Sequence, residues 1–166
     1  MSHPDRKKPR PATKPSIGWR EWVRLPELGV ETIKVKVDTG ARTSSLHAFG
    51  LKEAERGGKP FVSFMIHPEQ RRSSPTVQVE LPLLSRRRVR DSGGKAELRP
   101  VVETMVELLG QRWPIEVTLT RRDAMGFRML LGRQAIRGRF TVDPGRSFLG
   151  GKRAKAKRIV SRKKGP

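Results

Sequence analysis

Residues 34–45 read Lys34-Val35-Lys36-Val37-Asp38-Thr39-Gly40-Ala41-Arg42-Thr43-Ser44-Ser45. Charged and apolar residues alternate through Val37, the period-two pattern of a half-buried strand. That strand delivers Asp38 directly into a turn at Thr39-Gly40. Gly40 lets the chain fold tightly behind the carboxylate, where backbone N–H groups can hold its oxygens. Thr39 adds a hydroxyl able to bond across to a neighbouring copy of the loop. Two such carboxylates side by side cannot both ionise cheaply, so they share one proton. The ionised member then takes a proton from an attacking water, and the protonated member donates to the scissile carbonyl oxygen. Taken alone, the three residues are better explained by a plainer reading, in which Asp38 caps a turn after a strand.

Outside this segment the pattern stays strand-like and short. Candidate strands cover 17–23, 31–37, 60–67, 76–81, 87–90, 95–109 (bent or interrupted), 113–120, 129–131 and 139–142. Turn signals separate them at Gly57-Gly58, Ser73-Ser74-Pro75, Ser92-Gly93-Gly94 and Asp143-Pro144-Gly145. Many short strands without βαβ alternation predict an all-β barrel or sandwich. One short helix is expected at 133–137, and Thr43 and Ser45 could cap another. Trp19, Trp22 and Trp113 fall in strand patterns and read mainly as core, with one at a cleft rim.

The second element is Met129-Leu130-Leu131-Gly132-Arg133, an apolar strand ending in Gly-Arg. In single-motif aspartic peptidases a hydrophobic-hydrophobic-Gly segment packs against the catalytic loop. With Ile17-Gly18-Trp19-Arg20-Glu21-Trp22-Val23, Lys36 through Ala48, Arg88 through Pro100 and Phe127 through Arg133, the chain resembles a bacterial family. This is the retropepsin-like family associated with RimK/LysX-type ligases, also called ATP-dependent zinc proteases. The likeness runs from Ile17 to Leu149.

That resemblance implies a closed acid-protease barrel with Asp38, Thr39 and Gly40 as the catalytic motif. It also implies a partner system, an ATP-grasp ligase that adds glutamates to the tail of a small-subunit ribosomal protein. The implied activity is trimming of that acidic tail in the cytoplasm. The sequence departs from ordinary retropepsins at Arg42, where those enzymes place an acid that pairs with the Arg of the Gly-Arg segment. Arg133 therefore lacks its usual partner, and Arg42 is free to read a substrate carboxylate. Arg42, Thr43, Arg88, Arg90 and Arg133 are the candidate substrate-binding residues.

Charge agrees from an independent direction. Of the net +21, residues 1–15 carry +4 and residues 150–166 carry +8, leaving +9 on the segment between. Such a field attracts polyanions, whether acidic peptides or nucleic acid. The domain therefore reads as residues 16–149, flanked by disordered basic arms at 1–15 and 150–166. The arms are the expected route to any RNA or ribosome contact. Arg86-Arg87-Arg88-Val89-Arg90 and Arg121-Arg122 are divided between solvated faces, acidic-peptide binding and RNA contact.

Several classes are disfavoured. There is no cysteine, so disulfides, thiolate zinc sites and Cys nucleophiles are absent. No apolar run reaches about 18 residues, so no membrane helix is expected. His3, His47 and His67 form no HExxH pattern, and no phosphate-binding GxxxxGK[ST] loop exists, so neither metal nor ATP is expected as a cofactor. The catalytic motif occurs once. A C2 homodimer would supply the second carboxylate by symmetry; otherwise Asp91, Glu97 or Asp123 must. The alternative is a non-catalytic basic module that binds ribosome, RNA or acidic peptide on the same scaffold.

Overall fold

The computed structural model describes residues 12–69, 75–91, 93–121 and 126–151. Within them lie twelve strands: β1 Ser16–Gly18, β2 Arg20–Leu25, β3 Val30–Asp38, β4 Ser44–His47, β5 Phe49–Arg56 and β6 Lys59–Ile66; then β7 Val77–Pro82, β8 Ser85–Arg90, β9 Ala96–Leu108, β10 Gln111–Thr120, β11 Met129–Gly132 and β12 Thr141–Asp143. The one α-helix among the described residues, α1, is a single turn at Arg133–Ile136. The described residues are thus all-β with a lone α-helix, and none of their helices is long and apolar enough to cross a membrane. Apart from residues 12–15 and 150–151, the expected basic arms lie outside the described residues.

Seven strands hydrogen-bond in the order β10-β4-β11-β3-β2-β9-β8, and β9 pairs with β10 as well. The β2–β9 link is narrow, resting on the pair Arg24↔Glu107. A second sheet runs β5-β6-β7, and β1 pairs in parallel with β12. Alternation along β3 turns Ile33, Val35 and Val37 inward, and β6 does the same with Val62, Phe64 and Ile66. These residues share one apolar core with Leu119, Met129 and Leu131, so the two sheets stabilise each other.

Four local readings change in the structure. The strand expected at 17–23 breaks at Trp19, whose carbonyl accepts from Val37 N while β1 departs to pair with β12. The segment at Thr43–Ser45 forms no helix. Ser44–His47 is a strand because β10 and β11 offer it ladder partners on both sides, and tertiary pairing outweighs a capping preference. β5 hides in helix-forming residues, Leu51-Lys52-Glu53-Ala54-Glu55-Arg56. It is made a strand by the hairpin at Gly57-Gly58, both at positive φ (58° and 77°). Finally, β9 is continuous: it pairs first with β8 and then, from Val101, with β10.

Candidate functional site

Asp38 ends β3, and parallel β11 brings Gly132 opposite it. β11 also pairs with β4, so it is threaded between the two strands that the Asp38 loop connects. The loop must therefore arch over the end of β11, and its backbone is tied down there. The first N–H groups of α1, which have no partner inside a helix, donate to it: Arg133 N to Ala41 O at 2.7 Å and Gln134 N to Arg42 O at 3.1 Å. Gly132 N donates to Ser44 Oγ at 3.0 Å. Contact is so close that a Cβ at Gly132 would lie 2.5 Å from the Thr43 carbonyl carbon. The glycine of the Gly-Arg segment is thus required by space.

The loop in turn fixes the carboxylate. Gly40 N and Ala41 N each donate to Asp38 Oδ1 at 3.1 Å. Both bonds land on one oxygen, which leaves Oδ2 for water, substrate or a second carboxylate. Asp38 is half-buried, while Thr39 and Gly40 are exposed. A loop exposed at its tip is open to meet a second copy.

Arg133 finds a different partner from the acid of ordinary retropepsins. Its Nη1 donates to Thr39 O at 2.8 Å, so it braces the Asp38-Thr39-Gly40 turn directly. Arg42 is exposed beside this turn. Thr43 Oγ1 accepts from Arg87 Nη1 at 2.7 Å, and Arg87 Nη2 bonds Glu116 Oε2 at 3.0 Å.

Arg87 belongs to the basic cluster read from sequence but was not among the named substrate-binding candidates. Alternation in Arg86-Arg87-Arg88-Val89-Arg90 puts Arg87 on the face of Val89, and that periodicity was the available signal. Arg88 and Arg90 lie on the opposite, exposed face with Arg86. Arg86 chelates Glu53, and that carboxylate's hydrogen bond and charge raise the Arg86 pKa above its ordinary value. Of the sequence candidates, the structure brings Asp38, Thr39, Gly40, Arg42, Thr43 and Arg133 together, and leaves Arg88 and Arg90 outside this bonded group.

The other acids considered as a second carboxylate have local partners. Asp91 Oδ1 accepts from Lys95 N at 2.9 Å and closes the β8–β9 turn, and Glu97 accepts from Arg99 Nε at 3.0 Å. Asp123, Arg122 and His3 lie outside the described residues. His67 contacts Thr76 Oγ1 at 3.3 Å and packs on Phe49. Among the described residues, no three His, Asp or Glu side chains converge as a metal would need. The described donor set does not fit zinc.

The fold and loop define a class: a β-sheet domain with one Asp-Thr-Gly turn braced by a Gly-Arg strand end. The sequence profile of the RimB-like family, described as "Retropepsin-like aspartic endopeptidase RimB", matches residues 16–153. The chain belongs to this family. Relatives include proteins named "Probable alpha-L-glutamate ligase". That of Shewanella pealeana is 46% identical over 132 residues, or 80% of this chain and 29% of that one. That of Parasynechococcus marenigrum is 48% identical over 128 residues, or 77% and 28%. The chain therefore spans less than a third of these curated relatives. A crystal structure of a Legionella pneumophila protein of unknown function superposes with a TM-score of 0.68 at 28% identity, covering 83% of this chain and 99% of that one.

Proposed function

We propose that this chain is an aspartic peptidase that shortens an acidic, glutamate-rich peptide tail, working in the cytoplasm as a homodimer. In this reading the sheet row joined through β9 and β10 is a closed acid-protease barrel. The observation that carries the proposal is the Asp38 carboxylate, held by the Gly40 and Ala41 N–H groups on a loop locked to Gly132-Arg133.

One Asp38, ionised, takes a proton from water as the water oxygen adds to the scissile carbonyl carbon. Asp38 of the second copy, protonated, donates to the carbonyl oxygen. Collapse of this tetrahedral species breaks the C–N bond: the amine leaves with the proton the first carboxylate had taken, and one hydroxyl proton returns to the second carboxylate as the new carboxyl group forms. Arg133 and the N–H groups of α1 keep the loop in register for this exchange.

Three observations support an acidic substrate. The segment between the arms is basic by +9. Arg42 stands exposed beside the catalytic turn, where a guanidinium can take a glutamate carboxylate. Relatives containing a similar region are named as glutamate ligases, and a glutamyl product of a ligase suits a glutamyl peptidase. A glutamate-tailed ribosomal protein is the substrate this reading favours.

Mass spectrometry of an oligoglutamate-tailed peptide tests the proposal. Wild type should shorten the tail, Asp38→Asn should not, and Arg42→Ala should lose its preference for glutamate over glutamine. Activity per chain should rise with protein concentration until the dimer saturates. If wild type binds the tail but leaves it intact, the domain is a recognition module and the hydrolytic reading is wrong.

A further inference from the structure

β8 ends the seven-stranded sheet, and among the described residues it pairs with β9 alone. The register fixes which backbone groups face its open side. Asp91 N donates to Lys95 O at 3.0 Å, which makes these two a hydrogen-bonded pair. Such pairs recur at every second residue of an antiparallel ladder. Val89↔Glu97 and Arg87↔Arg99 therefore spend their backbone groups inside the sheet. The N–H and C=O groups of Arg86, Arg88 and Arg90 point outward, away from β9.

The ribbon carrying this edge is fastened at both ends. Its turn is closed by Gly94 N on Asp91 O at 3.0 Å and Lys95 N on Asp91 Oδ1 at 2.9 Å. From the other face Arg87 reaches Thr43 and Glu116, which ties β8 to the loop that carries Asp38. Arg86, Arg87 and Arg99 of the ribbon each hold a carboxylate, from Glu53, Glu116 and Glu97 in turn. Arg88 and Arg90 are exposed and have no carboxylate partner among the described residues. Directly across from them on β9 stand Leu98 and Ala96, both exposed, so this face of the ribbon offers them no acid.

We propose that the open edge of β8 takes up an acidic peptide segment as an added strand, with Arg88 and Arg90 pairing carboxylates two residues apart in the peptide. Strand addition draws affinity from main-chain hydrogen bonds and specificity from alternate side chains. Peptide residues two apart share a face, and side chains directly opposite across a strand pair meet at about 5 Å. Glu53, bonded to Arg86 Nε at 3.2 Å, already sets one carboxylate on the same row of guanidinium groups. A second copy of β8 is a poor occupant, because it would set cation against cation. The inference rests on the peptidase reading for the class of its ligand, and it adds a docking subsite apart from Asp38. The edge holds one stretch of the tail while the Asp38 loop, tied to β8 through Arg87, acts on another.

Binding is measured on the full chain carrying Asp38→Asn, so that the peptide stays intact, by fluorescence anisotropy of a labelled oligoglutamate. Arg88→Glu with Arg90→Glu should bind roughly tenfold or more weakly than Lys52→Glu with Lys59→Glu, an equal change of charge at exposed sites on the β5–β6 hairpin. Amide exchange followed by NMR should slow at Arg88 and Arg90 when the peptide saturates the chain, with Arg87 and Val89 protected from the start. Equal losses in the two double variants, or unchanged exchange at Arg88 and Arg90, would overturn the proposal. Displacement of the peptide by oligouridine at matched charge would assign the edge to nucleic acid and overturn it as well. If wild type leaves the tail uncut while binding still depends on Arg88 and Arg90, the peptidase reading falls and the docking edge stands.

Discussion

Substituting alanine for Gly132 tests the packing of the Asp38 loop on β11 without any assay of activity. Gly132 has extended backbone angles (φ −81°, ψ 169°) that any residue adopts, so the cost is one of space alone. A Cβ there would sit 2.5 Å from Thr43 C, 2.7 Å from Thr43 O and 2.7 Å from Ser44 N. Ordinary carbon contacts lie near about 3.5–4 Å, so the overlap is on the order of 1 Å. The crowded atoms are backbone, pinned between β10 and β11, and cannot rotate away as a side chain would. Overpacking of this kind costs about 1–3 kcal/mol. Pushing Ser44 off also loosens its bond to Gly132 N, a further ~1 kcal/mol. The expected loss is therefore about 2–4 kcal/mol, or a fall in Tm of roughly 8–16 °C at about 4 °C per kcal/mol for a domain of this size. Thermal unfolding followed by near-ultraviolet circular dichroism reads it. Gly145→Ala is the control, because its Cβ would meet only Asp143 Oδ1 at an ordinary 3.4 Å. If Gly132→Ala melts within a degree or two of that control, the tight apposition of β11 and the loop is wrong.

Two further outcomes follow from the same geometry. Glu21 is fully buried and accepts Gly18 N at 2.8 Å, Leu149 N at 2.9 Å and Gly150 N at 3.1 Å. Glu21→Gln turns an amide NH₂ toward one of these donors, so urea denaturation should show a loss of about 2–3 kcal/mol; no loss would mean the carboxylate does not hold the 149–150 segment. Arg133 is exposed, so Arg133→Lys should change stability by less than about 1 kcal/mol. It should still lower kcat on a glutamate-tailed peptide at unchanged KM, because lysine cannot repeat the guanidinium bond to Thr39 O. A change in KM alone would assign Arg133 to substrate binding instead.

The alternating run into Asp38-Thr39-Gly40, the Gly-Arg strand end, the glycine turns and the basic excess were all legible in the linear sequence, because each is a local pattern with a period or turn rule behind it. The strand at β5 was not, since its composition favours helix and only pairing with β6 overrides it. The choice of Arg87 over Arg88 and Arg90 needed the facing of β8, and the Thr39 carbonyl as partner of Arg133 needed the loop folded over β11. The stacking of Phe148 on Trp22 was likewise invisible, because the two are distant in sequence and meet where Glu21 holds residues 149–150 beside β2. Sequence alone thus determined the motif, its strand and the charge of its surroundings, which depend on neighbours within a few residues. Tertiary structure decided which side chains gather around the Asp38 loop, because those contacts join residues some tens of positions or more apart, which only sheet pairing brings together.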